Sequence, residues 1–329
     1  GAFDGCKKLR TVYGMGVESI GDRAFYDCEN LRNLFFNSIS EIGSYSFCNT
    51  GSKEYIVYGR TFTLNLEKIT KIPDGAFMGS AISSVEFNKI SSIGKNAFIG
   101  CKSVASYNVA SGNSAYKSID GVLYGQYESK YSLIQYPNAK TDATCTVASG
   151  TKIIADYAFG DNAYLTKIVL PSGLEKLDNF AFYNCTADSV MIYNDVDEIN
   201  ESAFTGSTIK DLNIYGNVTT IKNSAGTGSK IENIKITGEV DTIDEQAFSG
   251  CTDLKTVNVG NIETIGYRAF YKCSNLEEVN IPGVKYIDMG AFRSCTSLET
   301  ITLDSVVVID DNAFMDCSNL TSAVISEQC

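Results

Sequence analysis

Leu276-Glu277-Glu278-Val279-Asn280-Ile281-Pro282, continued by Ile287, Ala291-Phe292 and Cys295, is one copy of a phrase that recurs along the chain. Around it the Phe of an Ala-Phe pair falls at Phe248, Phe270, Phe292 and Phe314, a step of 22 residues, and Cys251, Cys273, Cys295 and Cys317 each follow three residues later. A fixed period in the low twenties is the signature of a stacked solenoid. One such unit cannot bury its apolar stripe alone, so neighbours must stack and share a continuous core.

The phrase extends back through Phe204, Phe182, Phe159, Phe98, Phe77, Phe47, Phe25 and Phe3. Between Phe204 and Phe248 the slot falls at Gly226, where the motif has decayed to Asn223-Ser224-Ala225-Gly226. Thirteen slots result, and twelve of the seventeen Phe occupy them. Two spacings depart from the period. Phe47 to Phe77 is 30 residues, which implies an inserted loop or hairpin, and Phe98 to Phe159 is 61, which implies a degenerate repeat plus extra material.

Within each unit the pair Val279-x-Ile281 has the period of two of a strand whose alternate side chains turn inward. The Val284-x-x-Ile287 step then turns a corner, and Ala291-Phe292 packs the far side. Strands stacked in this way form a parallel ladder at about 4.8 Å per coil. The expectation is one domain over residues 1–329, a repeat solenoid of about 13 to 14 coils and roughly 65 Å long on that rise.

These residues carry a resemblance. Leu-x-x-Val-x-Ile-Pro followed by Ile, Ala-Phe and Cys, spelled by Leu276 to Cys295 and begun again at Leu165 to Pro171, resembles the BspA-like class of leucine-rich repeats. Ser118 to Tyr124 and Leu133 to Pro137 resemble an interruption common in that family. The resemblance implies a right-handed leucine-rich-repeat superhelix, with a parallel sheet on its concave face and short strands, turns and 3-10 segments opposite. It also implies a secreted or surface-displayed protein of mucosal bacteria or some protists that acts in adhesion, bound to a host or matrix protein or to a glycan.

Composition bounds the function. The net charge is −12, and residues 239–329 hold fifteen Asp and Glu against five Lys and Arg, so −10 of it lies there. Nucleic acid is excluded as a partner, because binding it needs a basic footprint. The acidic end either solubilises the protein or receives a cationic partner. No stretch is long and apolar enough for a membrane span, so no membrane insertion is expected of this segment. The chain opens inside one repeat and stops a strand after another without an obvious polar cap, as an excised piece of a longer protein would.

Eleven Cys are present. Eight follow their Phe by three residues and should stack as a column, a linear arrangement unsuited to the tetrahedral sulfur cage of zinc. Neighbouring Cβ vectors point the same way, which is poor geometry for a disulfide. Thr50, Ser80, Asn162, Ser207 and Ser229 fill the slot elsewhere, so it asks for a small, mildly polar side chain. Cys48, Cys145 and Cys329 break register, with Cys329 a candidate exposed thiol.

Catalysis has little to build on. There is no His, which removes Ser-His-Asp and Cys-His pairs and all His metal sites. Adjacent carboxylates such as Asp310-Asp311 point to opposite faces of a strand and do not converge. Gly14-Met15-Gly16 is too short for a phosphate loop, and the Asp and Glu are too dispersed for calcium. No enzyme activity, cofactor or metal is expected. Four Asn-x-Ser/Thr tripeptides, at Asn184, Asn200, Asn217 and Asn319, are of a kind that arises readily in an Asn-rich repeat.

A rod with an open sheet is suited to binding. Its central outward column reads Phe35, Asn65, Glu86, Asn108, Val169, Met191, Asn213, Lys235, Asn258, Asn280, Thr302 and Val324. The column two residues earlier runs from Asn33 to Ser322 and includes Lys167, Asp211 and Glu278. Short Asn, Ser and Thr dominate, which suits hydrogen bonds to a polar ligand, or merely keeps the sheet soluble. Lys167, Val169, Met191, Asp211, Asn213 and Lys235 mix charge with exposed apolar groups and form the first candidate ligand-binding patch. The second is a Tyr-rich hairpin insertion at about 110–150, read as turning at Gly125-Gln126, with Tyr124, Tyr127 and Tyr131 as contact residues. The alternative is that these Tyr seat the hairpin on the solenoid flank. Three functions remain: a surface recognition module, a structural stalk and a hydrolase.

Overall fold

The computed structural model describes residues 1–52 and 61–326. The expected loop between Phe47 and Phe77 lies partly outside them, and Cys329 wholly so. The described residues form a β-solenoid of about 14 turns without a helix. They group into two compact units, Gly1–Thr141 with Phe159–Asn162, and Asp142–Ala158 with Ala163–Cys329.

In the second unit most coils contribute two strands, and two coils run both together as one long strand. Lys167–Leu170, Thr186–Ile192, Thr208–Ile214, Asn233–Ile243, Thr256–Ile265 and Glu278–Asn280 pair in parallel as a first ladder. A second ladder runs through Lys176–Leu177, Val196–Ile199, Val218–Ile221 and Tyr286–Ile287, joined by the far halves of the two long strands. The expected short strands on the far side are therefore themselves a paired ladder. Alternation does the sorting: in Thr256–Ile265, Val257, Val259, Ile262 and Ile265 are buried and Asn258 is exposed.

The first unit repeats the scheme with Thr11–Gly14 on Asn33–Phe36, and with Phe62–Thr63, Ile82–Phe87 and Tyr107–Val109 in one parallel sheet. Its insertion is a three-strand antiparallel meander, Tyr116–Ile119, Val122–Tyr127 and Lys130–Gln135. The turns fall at Asp120-Gly121 and Glu128-Ser129, all four residues at positive φ, as a two-residue type I′ hairpin requires. The expectation of a turn at Gly125-Gln126 is thus corrected. Gly125 lies within a strand, where a Cβ would meet the Tyr116 ring, so its glycine marks close packing and not a bend.

Phe25, Phe47, Phe77 and Phe98 stack at centroid spacings of 5.4, 5.6 and 5.7 Å. In the second unit Phe248, Phe270, Phe292 and Phe314 do so at 5.7, 5.2 and 5.3 Å. Tyr136 takes the place of a Phe in the long gap, stacking on Phe159 at 5.4 Å. The thiol slot has a specific cause. Cys101, Cys251, Cys273 and Cys295 each donate from Sγ to the carbonyl of the preceding coil's Phe-slot residue at 2.9 to 3.2 Å, and Thr50 does the same through Oγ1 to Phe25 at 2.9 Å. The slot wants a small donor. Not every occupant donates this way: Cys185 Sγ turns to the Thr186 carbonyl at 3.9 Å, the Ser80 and Ser229 hydroxyls pair with the Cys101 and Cys251 thiols, and the buried Ser207 hydroxyl has no partner.

Two backbone positions per coil, two residues before and two after each Phe slot, adopt positive φ. Arg268 and Lys272 flank Phe270 at 52° and 60°, and Gln246 and Gly250 flank Phe248 at 55° and 73°. Between them the N–H groups point to the next coil: Gln246, Phe248 and Gly250 donate to the carbonyls of Tyr267, Ala269 and Tyr271 at 2.7 to 2.8 Å. The turns are thereby a third hydrogen-bonded ribbon, which satisfies backbone groups that a loop would leave to water.

Candidate functional site

The sheet of the second unit holds its outward side chains in strict register. Lys167, Ser189, Asp211, Asn233, Thr256 and Glu278 stand opposite one another from coil to coil, as do Val169, Met191, Asn213, Lys235, Asn258 and Asn280. The six residues singled out from the sequence therefore share one face over four consecutive strands. Lys167 and Lys235 are exposed, and Val169, Met191, Asp211 and Asn213 half-buried.

Part of this face is tied down by its own side chains. Asn233 donates from Nδ2 to Asp211 Oδ1 at 2.8 Å, and Thr256 donates to Asn233 Oδ1 at 2.9 Å. Farther along, Asn280 donates to Asn258 Oδ1 at 3.0 Å. Lys255 lies on Glu232 at 2.7 Å, and that carboxylate raises its ammonium above the usual lysine range. The side chains of Asn213 and Lys235 make no hydrogen bond or ion pair among the described residues. A groove of about 430 Å³ runs over the face, lined by Asp211, Asn213, Lys235, Asn258, Glu278 and Thr302 among others.

A third outward column completes the face, and the sequence reading passed over it by taking only two positions per strand. Continuing the alternation beyond Met191 and Asn213 gives Tyr193 and Tyr215. Their rings stack at 5.1 Å and 11° while remaining 48% and 38% exposed. Tyr193 donates its hydroxyl to Met191 Sδ at 3.6 Å. Tyr13 in the first unit was missed for another reason, since it stands opposite Phe35 in the central column, one coil before that column was begun; its ring stacks on Phe35 at 4.8 Å, the two being 76% and 46% exposed.

The insertion divides its Tyr between core and surface. Tyr124 is 1% exposed and stacks on Tyr131 at 5.8 Å, so its ring offers nothing to a ligand and leaves the candidate surface. Tyr127 and Tyr131 are half-buried, and burial lifts the Tyr131 phenol above its ordinary range.

No group of three Cys, Asp or Glu stands close enough to hold a metal among the described residues, and no described helix is long and apolar enough to cross a membrane. The ten described cysteines carry no disulfide.

Residues 1–119, 138–255 and 252–329 match the model of the BspA type leucine-rich repeat region, in six copies. The chain belongs to this family. Several proteins of known structure share its fold. A leucine-rich repeat protein from Eubacterium ventriosum is 25% identical, with a TM-score of 0.65 over 97% of this chain and 83% of that one. One from Bacteroides ovatus is 21% identical, with a TM-score of 0.56 over 98% and 80%. The pneumococcal vaccine antigen PcpA is 19% identical, with a TM-score of 0.56 over 98% and 69%. No curated protein matches the chain. The interruption of the family match between residues 119 and 138 coincides with the meander, the part of this BspA-type chain that departs from the repeat.

Proposed function

We propose that this BspA-type chain is a non-enzymatic recognition module of a cell surface, which adheres to a host or matrix protein or to a glycan through the open sheet of its second unit. One observation carries the reading: four consecutive strands hold Lys167, Met191, Asp211, Asn213 and Lys235 on one face, and the last three of these line its groove. Side chains on paired strands are held more firmly than side chains on loops, and that preorganisation reduces the entropy lost on binding.

A structural stalk is the second reading, favoured by the ladder Asp211–Asn233–Thr256, whose members satisfy one another. Purified protein tested by calorimetry and surface capture against matrix proteins and mucin glycans separates the two. The recognition reading expects saturable binding, weakened at least ~10-fold by Lys167→Glu with Lys235→Glu, with an unchanged melting temperature. Absence of binding across both ligand classes leaves the stalk.

A further inference from the structure

Within the recognition reading, on which this inference rests, the geometry points to a specific ligand class for the face: an uncharged saccharide chain, seated on the Tyr193–Tyr215 ring pair and hydrogen-bonded by Asn213 and Lys235. A sugar ring presents a patch of C–H groups on its face and hydroxyls around its rim. A complementary surface needs a small flat apolar area bordered by fixed donors and acceptors.

The second unit builds that combination at one place. Tyr215 follows Asn213 by two residues, one position past the end of its strand, and Tyr193 follows Met191 likewise, both exposed in continuation of the same alternation. The parallel rings at 5.1 Å form one apolar step across two coils, with Met191 Sδ against the Tyr193 hydroxyl. Beside the step stand three polar groups without a hydrogen-bond partner among the described residues, the amide of Asn213, the ammonium of Lys235 and the hydroxyl of Tyr215. Asp211 keeps a second carboxylate oxygen beyond the one that accepts from Asn233.

The rest of the face argues against a protein partner at this spot. A protein interface is built on a buried apolar core with aromatic anchors inside a polar rim. Here the groove begins at Asn213, two residues from the aromatic step, and sets Asn, Thr, Asp, Glu and Lys side chains beside Ile234, Val257 and Val279, so an occupant must offer hydrogen-bonding groups along its length as well as apolar faces. Equivalent columns repeat at about 4.8 Å per coil, which favours a polymer with a short repeat of its own over a compact ligand. The groove carries Asp211, Glu277 and Glu278 against Lys235, a balance that opposes anionic polysaccharides.

The test uses the whole chain with soluble neutral polysaccharides (xylan, mixed-linkage β-glucan, starch and galactomannan), by affinity electrophoresis and calorimetry, and runs matrix proteins in parallel. One of these polysaccharides should bind, and Tyr193→Ala and Tyr215→Ala should each weaken it by about tenfold. Asn213→Ala should weaken it too, while Tyr13→Ala, in the other unit, should leave it unchanged. Both Tyr are substantially exposed, so unchanged melting curves will show that the variants fold. Polysaccharide binding indifferent to Tyr193 and Tyr215 overturns the site. Binding of a matrix protein alone, sensitive to Lys235→Glu, overturns the saccharide and leaves the recognition reading. No binding of either kind overturns both.

Discussion

Cys273 shows why a thiol recurs in this protein without any thiol chemistry. Its Sγ donates to the Phe248 carbonyl at 3.2 Å, and the same carbonyl also accepts the Cys251 amide, so the thiol adds a second bond to an acceptor already satisfied. Losing it should cost the net value of one hydrogen bond and little more. Cys273→Ala is expected to lower unfolding stability by about 1 kcal/mol in urea titrations, and Cys273→Ser by less, because Thr50 serves the same slot with a hydroxyl. A serine variant as destabilised as the alanine one would show that sulfur packing, and not donation, selects the residue. Exposure sorts the reactivity of these groups. Cys6 is exposed and Cys317 half-buried, whereas Cys28, Cys48, Cys101, Cys145, Cys185, Cys251, Cys273 and Cys295 are buried. Among these ten, maleimide labelling of the native protein should therefore mark Cys6 first, and the buried thiols only after denaturant is added. Early labelling of Cys251 or Cys273, read by peptide mass mapping, would contradict the packed column.

At the scale of the element, the turn ribbon is the part that sequence periodicity conveyed least. Gly250 has φ 73° with nothing within 4 Å of a Cβ built on it, so Gly250→Ala isolates the backbone cost and should destabilise by about 1 kcal/mol. Ser294, at φ 65°, is the converse site, and Ser294→Gly should raise stability by a similar amount. Equal melting temperatures for the two variants would refute the account. Restoring the family motif at Gly226 should do harm, since a Cβ there would lie 2.8 Å from the Phe248 ring; Gly226→Phe is expected to melt below the parent. The decayed repeat has been repacked, and a motif count cannot see that. What the sequence did convey was everything governed by alternation and period: the ladders, the Phe column, and the register that places Lys167, Asp211 and Lys235 on one face. Alternation carried one step further would also have shown Tyr193 and Tyr215. The meander was harder, because Gly125 looks like a turn residue until the Tyr116 ring is seen against it; Asp120-Gly121 is a dipeptide that such a turn prefers and was legible, whereas Glu128-Ser129 turns on conformations that Glu and Ser do not advertise.

For the molecule as a whole, burying thiols in both units sets a boundary on the alkaline side. Burial raises Cys101 and Cys185 to about 12 and Cys251 to about 11, against 9.0 for a free thiol, and pushes Cys273 well above that value too. The folded state therefore holds these thiols protonated where the unfolded chain has already released its protons. The stability they contribute is complete below pH 9 and drains away as pH rises toward 11 and 12, because the unfolded state binds fewer protons throughout that window. Each fully coupled thiol contributes a slope of about 1.4 kcal/mol per pH unit, and several act together because each sits in the same kind of slot. Urea midpoints measured from pH 7 to 10.5 should be flat up to about pH 9 and fall steeply beyond it. Replacing Cys101 and Cys251 by Ser, which does not ionise in this range, should lower stability at pH 7 yet make the alkaline fall shallower. That crossing of the two curves is the distinguishing sign. If the Ser variant falls as steeply as the parent, the alkaline limit belongs to buried phenols such as Tyr107, which burial also raises, and the thiol column has no part in it.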